Sequence, residues 1–153
     1  MNPPGIKFVI LHPQPGKSKE KEMGKEDLQG TETILLVDDE ETIINIIGMA
    51  LKIFGYKVLS ATGGQEAVQA YRQNQDRIAL VILDMLMPQM NGGKVFDLLK
   101  EINPVVKVLL TSGYSYDEEA VKIISRGANG FIQKPFGVKE LSRQIREILD
   151  HKK

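Results

Sequence analysis

The sequence predicts an α/β fold: a single doubly wound (βα)5 domain whose five-stranded parallel sheet carries helices on both faces. Three observations lead there. Short β-branched and leucine-rich runs recur five times between Ile34 and Ile132, and each is followed by an amphipathic stretch. The first and third runs are apolar at every position, as central parallel strands covered on both faces require. Strand-helix alternation of this kind folds into a parallel sheet with right-handed crossovers.

Taken in order, the strand runs are Ile34-Leu35-Leu36-Val37, Tyr56-Lys57-Val58-Leu59, Ala79-Leu80-Val81-Ile82-Leu83, Val105-Val106-Lys107-Val108-Leu109-Leu110 and Gly130-Phe131-Ile132. Between them the apolar residues fall at helical spacing. Ile43, Ile47, Ala50, Leu51 and Phe54 line one face, Val95, Leu98, Leu99 and Ile102 another, and Val138, Leu141, Ile145 and Ile148 the last. Gly55 stands where a helix C-cap belongs, Pro104 stops the helix before the fourth strand, and Gly63-Gly64 opens a helix after the second. That glycine pair lacks the spacing of a dinucleotide or P-loop fingerprint.

Composition narrows the class further. A chain of 153 residues is long enough for one well-buried domain and short for two. Twenty basic residues balance twenty acidic ones, so no overall field points to nucleic acid or to an anionic membrane. The absence of cysteine excludes disulfides and thiolate metal sites. No apolar run approaches the roughly 20 residues of a membrane-spanning helix, and the short Ile6–Leu11 stretch has no basic residue before it. A cytoplasmic protein without membrane contact is the expectation. Before the first strand, Pro13 to Gly30 holds two prolines, three glycines and eight charged residues between Lys17 and Asp27. Such a segment buries too little to offset its ordering entropy. Residues 1–32 are therefore expected to be a flexible tail or linker, and residues 33–150 the folded domain.

In a doubly wound sheet the functional crevice lies outside the carboxyl ends of the strands. Asp38, Asp39 and Glu40 follow the first strand, Asp84 the third, Thr111 and Ser112 the fourth, and Lys134 and Pro135 the fifth. With strand order 2-1-3-4-5, strands one and three are neighbours and their three aspartates meet. Three adjacent carboxylates repel one another. Lys134 can neutralise one charge, and a hard divalent ion can neutralise two more through oxygen ligands. A site without cysteine or histidine favours Mg²⁺, with Mn²⁺ as a substitute, over zinc.

Read singly, each motif has a plainer meaning. Asp-Asp-Glu after a strand often serves only a helix N-terminus. Thr111-Ser112-Gly113 can be a turn, and Lys134 a solvated lysine. Met85, Met87 and Met90 read as loop packing, and His12 and His151 lie outside the core. Asp84 is harder to dismiss, since it ends a buried apolar run. Their conjunction in the right order decides between the readings.

Val37-Asp38-Asp39-Glu40, Asp84-Met85-Leu86-Met87-Pro88-Gln89-Met90-Asn91-Gly92, Thr111-Ser112-Gly113 and Lys134-Pro135-Phe136 resemble the motifs of response-regulator receiver domains, over about residues 33 to 150. That family has the flavodoxin-like fold. The resemblance implies that Asp84 is the nucleophile that takes a phosphoryl group from a phosphohistidine. It implies that Asp38, Asp39, Asp84 and the Leu86 carbonyl hold Mg²⁺, and that Lys134 pairs with Asp84 and then with the phosphoryl group. It further implies a Thr111 hydroxyl that binds another phosphoryl oxygen, a cis peptide at Lys134-Pro135, and a switch pairing Thr111 with Phe131. Phe131 replaces the commoner tyrosine and has no hydroxyl, so coupling rests on packing. Leu86 and Gly113 flank the phosphoryl position without a polar group to orient water, which implies a long-lived acyl phosphate.

The implied partners are a histidine kinase or histidine phosphotransfer domain as donor and a downstream protein on the helix 4, strand 5, helix 5 face. Gly5 to Pro13 resembles the last strand of a kinase ATP-binding domain, which suggests the C-terminal receiver of a hybrid histidine kinase. A stand-alone single-domain regulator is the alternative. A receiver is expected to catalyse its own phosphorylation and dephosphorylation without turning over an external substrate. Two readings from other classes stand further off. A haloacid-dehalogenase-type phosphatase needs a second aspartate where Leu86 stands, and a phosphorylation-independent binding module would lack part of the acid, hydroxyl and lysine set.

Overall fold

The computed structural model describes residues 28–114 and 116–151. Five strands, β1 (Thr33–Val37), β2 (Lys57–Ala61), β3 (Ile78–Asp84), β4 (Val108–Ser112) and β5 (Gly130–Gln133), alternate with five helices. The helices are α1 (Glu41–Ile53), α2 (Gly64–Asn74), α3 (Gly92–Ile102), α4 (Glu118–Ser125) and α5 (Val138–Asp150). All strand pairs are parallel and the order is β2-β1-β3-β4-β5, as the sequence predicts.

The unbroken apolar runs have a two-sided explanation. Ile34, Leu36, Leu80, Ile82 and Leu109 join a cluster with Ile44, Leu51, Leu141, Ile145 and Ile148 of α1 and α5. Their neighbours Leu35, Val37, Val81, Leu83 and Leu110 point the other way, into Ala67, Tyr71, Val95, Phe96, Leu99 and Ile123 of α2, α3 and α4. Alternate side chains of a strand face opposite layers, so burial on both faces leaves no polar position. On α1 the buried line is Ile44, Gly48 and Leu51, with Ile43 and Ile47 on its flank. Of the expected face, Leu51 is buried and Ile47 and Phe54 pack against the same cluster, while Ile44 and Gly48 take buried positions beside them. Gly48, which has no side chain to score as apolar, faces Val58 of β2.

Gly55 has φ 105°, the left-handed conformation that ends α1. A Cβ there would lie 2.4 Å from the Gly30 carbonyl oxygen, so the position is closed to other residues twice over. Residues 28–32, expected within the tail, lie against the domain. Leu28 is only 6% exposed, Gly30 N–H donates to the Phe54 carbonyl, and Glu32 pairs with Arg146. Most of the expected tail, residues 1–27, lies outside the described residues, as does the kinase-like Gly5–Pro13 stretch. Among the described residues no helix is long and apolar enough to cross a membrane.

Candidate functional site: an acidic crevice at the carboxyl edge of the sheet

Strand register assembles the site. Val37 pairs with Leu83, so Asp38 emerges beside Asp84, and Asp84 itself pairs with Thr111. Backbone bonds continue the ladder past the strand ends: Asp38 N–H to Ala61 O, Met85 N–H to Thr111 O and Lys134 N–H to Ser112 O. The functional side chains are thus held by the sheet and not by free loops. One carboxylate oxygen from each of Asp38, Asp39 and Asp84 lies within 4.8 Å of the others. Asp38 and Asp84 are 2% and 4% exposed, whereas Asp39 is open to solvent.

Lys134 reaches in from the end of β5. Its Nζ lies 2.7 Å from Asp38 Oδ2 and 3.5 Å from Asp84 Oδ1. The resemblance implied a pair with Asp84; here the ammonium sits between two carboxylates and the shorter bond goes to Asp38. Burial disfavours charge on Lys134, but the hydrogen bond to Asp38 and the carboxylates of Asp84 and Asp38 outweigh it and raise its pKa. Asp84 goes up as well, from 3.8 to about 6. Burial is the largest cause and the Asp38 charge the next, only partly opposed by Lys134 and by the Leu86 N–H. A carboxyl so placed holds its proton far more tightly than an exposed aspartate. Lys134 offsets only part of the negative charge gathered there. The donors are all oxygens, which suits a hard divalent ion.

The remaining expected residues fall around this centre. Thr111 is buried beside Asp84, at the end of β4 and not beyond it. The Leu86 side chain is 52% exposed, and its N–H makes a long 3.5 Å contact with Asp84 Oδ1. Phe131 lies away from the carboxylates, half-buried on β5. The peptide between Lys134 and Pro135 is cis. Glu40, the residue before α1, makes no side-chain cap, and Asp38 accepts the Glu40 N–H at 2.9 Å while it binds Lys134, so these acids do more than begin a helix. Met85 and Met87 are buried core residues, in keeping with loop packing.

Gly92 was quoted in its motif without a role, and the structure supplies one. Its N–H donates to Met85 O, and a Cβ would meet Asp84 O and Met85 Cα at 2.7 Å. The N-terminus of α3, capped by Asn91 on the Lys94 N–H, therefore lies directly against the end of β3. A glycine immediately after a capping asparagine was the available signal. Tyr116 carried no such signal; its ring meets Phe131.

A parallel 2-1-3-4-5 sheet with an aspartate triad and a lysine at its carboxyl edge defines a class, the doubly wound proteins whose crevice lies at the switch point between β1 and β3. The chain belongs to the response regulator receiver domain family, whose model matches residues 34–146. It is 34% identical over 137 residues to the sensor kinase CckA of Brucella abortus, covering 89% of this chain and 14% of that protein. It is 36% identical over 118 residues to the probable transcriptional regulator ycf27 of Porphyridium aerugineum, covering 77% of this chain and 48% of that one. Among solved structures, a receiver domain protein from Clostridium thermocellum superposes with TM-score 0.75 at 31% identity, over 78% of this chain and 94% of that one. A CheX–CheY–beryllofluoride–Mg²⁺ complex from Borrelia burgdorferi does so with TM-score 0.72 at 26% identity, over 76% and 88%. The chain thus spans a small part of one curated relative and about half of another.

Proposed function

We propose that this domain accepts a phosphoryl group on Asp84 and passes the event on as a conformational change. The observation that carries the reading is the convergence of two further carboxylates and one ammonium on a buried Asp84. In the transfer, an Asp84 carboxylate oxygen attacks the phosphorus of a phosphohistidine. A P–O bond forms, the P–N bond breaks, and the imidazole leaves and regains a proton. Asp38, Asp39, Asp84 and the Leu86 main-chain carbonyl would hold Mg²⁺, with Mn²⁺ as a substitute. When bound, that ion supplies charge neutralisation for an in-line displacement. Lys134 stands where it can exchange its Asp84 contact for a phosphoryl oxygen, and Thr111, paired with Asp84 on the next strand, offers a hydroxyl. Phe131 is the aromatic that responds to Thr111.

The donor is a histidine kinase or histidine phosphotransfer domain, and the downstream contact lies on the α4, β5, α5 face. The similarity to a sensor kinase over 89% of this chain supports a place within a hybrid kinase, as does the Gly5–Pro13 sequence. The relative crystallised with beryllofluoride and Mg²⁺ suggests the test. Beryllofluoride, a phosphoryl mimic, is titrated with and without Mg²⁺ while amide NMR shifts are followed in wild type and Asp84→Asn. Mg²⁺-dependent shifts around Asp84, Thr111 and Phe131 that vanish in the variant are expected. A wild type that does not respond would leave a phosphorylation-independent binding module.

A further inference from the structure

Tyr116 belongs to no part of the site described above, yet it joins three elements around it: the loop after β4, α4 and β5. Its ring meets Phe131 edge to face, with centroids 5.3 Å apart and planes at 60°. The same ring is 51% exposed, so contact with Phe131 and not burial fixes its position. Phe131 packs on its inner side against the core beneath α2, α3 and α4. Tyr116 stands on the loop that leaves β4 directly after Thr111 and Ser112, and the Ser112 hydroxyl fastens the start of that loop by accepting the Tyr114 N–H at 3.1 Å. Next in the chain comes Asp117, whose carboxylate caps α4 by accepting the Ala120 N–H. One ring pair therefore links the loop that begins at Thr111, the N-terminus of α4 and the middle of β5. Phe131 lacks a hydroxyl, so packing holds it: the core on its inner side and the Tyr116 ring on the other.

We infer that Tyr116 is a positioning residue of the switch, its ring and not its hydroxyl coupling occupancy of the Asp84 site to α4. This deepens the phosphoacceptor reading and rests on it. When the Thr111 hydroxyl is drawn toward a phosphoryl oxygen, the loop it begins moves with it. The ring pair then obliges Phe131 and the first turn of α4 to follow. An edge-to-face aromatic pair biases a two-state equilibrium by roughly two- to tenfold beyond its area burial, enough to decide how far a marginal switch is thrown.

The test compares wild type, Tyr116→Phe, Tyr116→Ala and Phe131→Ala with Mg²⁺ and beryllofluoride, reading amide shifts at Asp84 separately from those of α4. Tyr116→Phe should match wild type. Tyr116→Ala should still respond at Asp84 while its α4 shifts shrink at least about twofold. Phe131→Ala, which opens the pair from the core side, should reproduce that loss. Full α4 shifts in Tyr116→Ala overturn the inference, as does a Tyr116→Phe variant that loses as much as Tyr116→Ala. Wild type responding at Asp84 but not at α4 overturns it while leaving the phosphoacceptor reading intact. No response at Asp84 in wild type overturns both.

Discussion

The Asp84 carboxyl is buried among two other carboxylates, and its pKa is pushed up to about 6 from 3.8. Since the folded state binds this proton more tightly than the unfolded chain, stability falls as pH rises through the interval between those two values. Above about pH 6 the charge is a standing liability of the metal-free protein. Asp84→Asn, of the same shape and uncharged, should stabilise the metal-free domain at pH 7 by about 1–3 kcal/mol, with the gain gone near pH 4. Urea denaturation in the presence of a chelator at the two pH values measures this; a destabilised variant at pH 7 would contradict it. Ser142 presents a different case: it is fully buried and its hydroxyl has no hydrogen-bond partner among the described residues. Ser142→Ala should leave stability unchanged or raise it by up to about 1 kcal/mol in the same assay. Leu86 and Gly113 beside the site offer no group to orient water. Radiolabel on Asp84 should therefore decay slowly, and loss within seconds would refute that. Asp38, Asp39, Asp84, Thr111 and Lys134 were legible in the sequence because strand ends can be located from apolar runs. Tyr116 was not, because which neighbour a loop side chain meets depends on the path of the loop.

At the scale of elements, the five strands could be read from apolar runs and α1, α3 and α5 from helical spacing, while α4 followed only from the alternation; the errors have a common cause. The fourth strand was expected from Val105 but begins at Val108, because Pro104 and Val105 still belong to the turn after α3. Apolar character alone does not distinguish such a turn from a strand: Val105 is exposed although hydrophobic. The expected face of α1 omitted Ile44 and Gly48, the latter because it has no side chain to score as apolar. Gly92 governs how closely α3 approaches β3, and that approach shapes the loop through Leu86. Gly92→Ala should push the helix from the strand by crowding Asp84 O and Met85 Cα. The expected destabilisation is about 1–3 kcal/mol. Weaker Mg²⁺-dependent beryllofluoride binding should accompany it, because the displaced atoms are main-chain atoms of the site. Thermal melts and NMR titration of the one variant read both effects, and an unchanged melt would show that the loop yields without strain.

For the molecule as a whole, the question is where the folded unit begins. Composition put the boundary at residue 33, since glycine, proline and charge dominate what precedes it. Long-range partners that no local pattern reveals hold residues 28–32 against the domain. Arg146, on α5, binds Glu32 with both terminal nitrogens, at 2.8 and 3.1 Å, and reaches Tyr56 and Asp150 as well. It thereby ties the segment before β1 to Tyr56, just ahead of β2, and to the last helix. Its hydrogen bond holds the Glu32 carboxyl below the usual range, outweighing the opposing effect of burial. For a lowered carboxylate the stabilisation is present above the unfolded pKa of about 4.5 and is lost as pH falls through the lower folded value. A chain starting at residue 33 should therefore be less stable at pH 7 than one starting at residue 28. The Leu28 side chain accounts for roughly 1.5–3 kcal/mol of the difference and the partly exposed Glu32 pair for about 1 kcal/mol or less. Glu32→Gln in the longer chain isolates the second contribution. Its effect should be visible at pH 7, fade in high salt and vanish once pH falls below the lowered folded value, while that of Leu28→Ala stays the same across the range. If the two chains melt together at pH 7, the segment before β1 only rests on the domain, and the boundary expected from composition is the right one for stability.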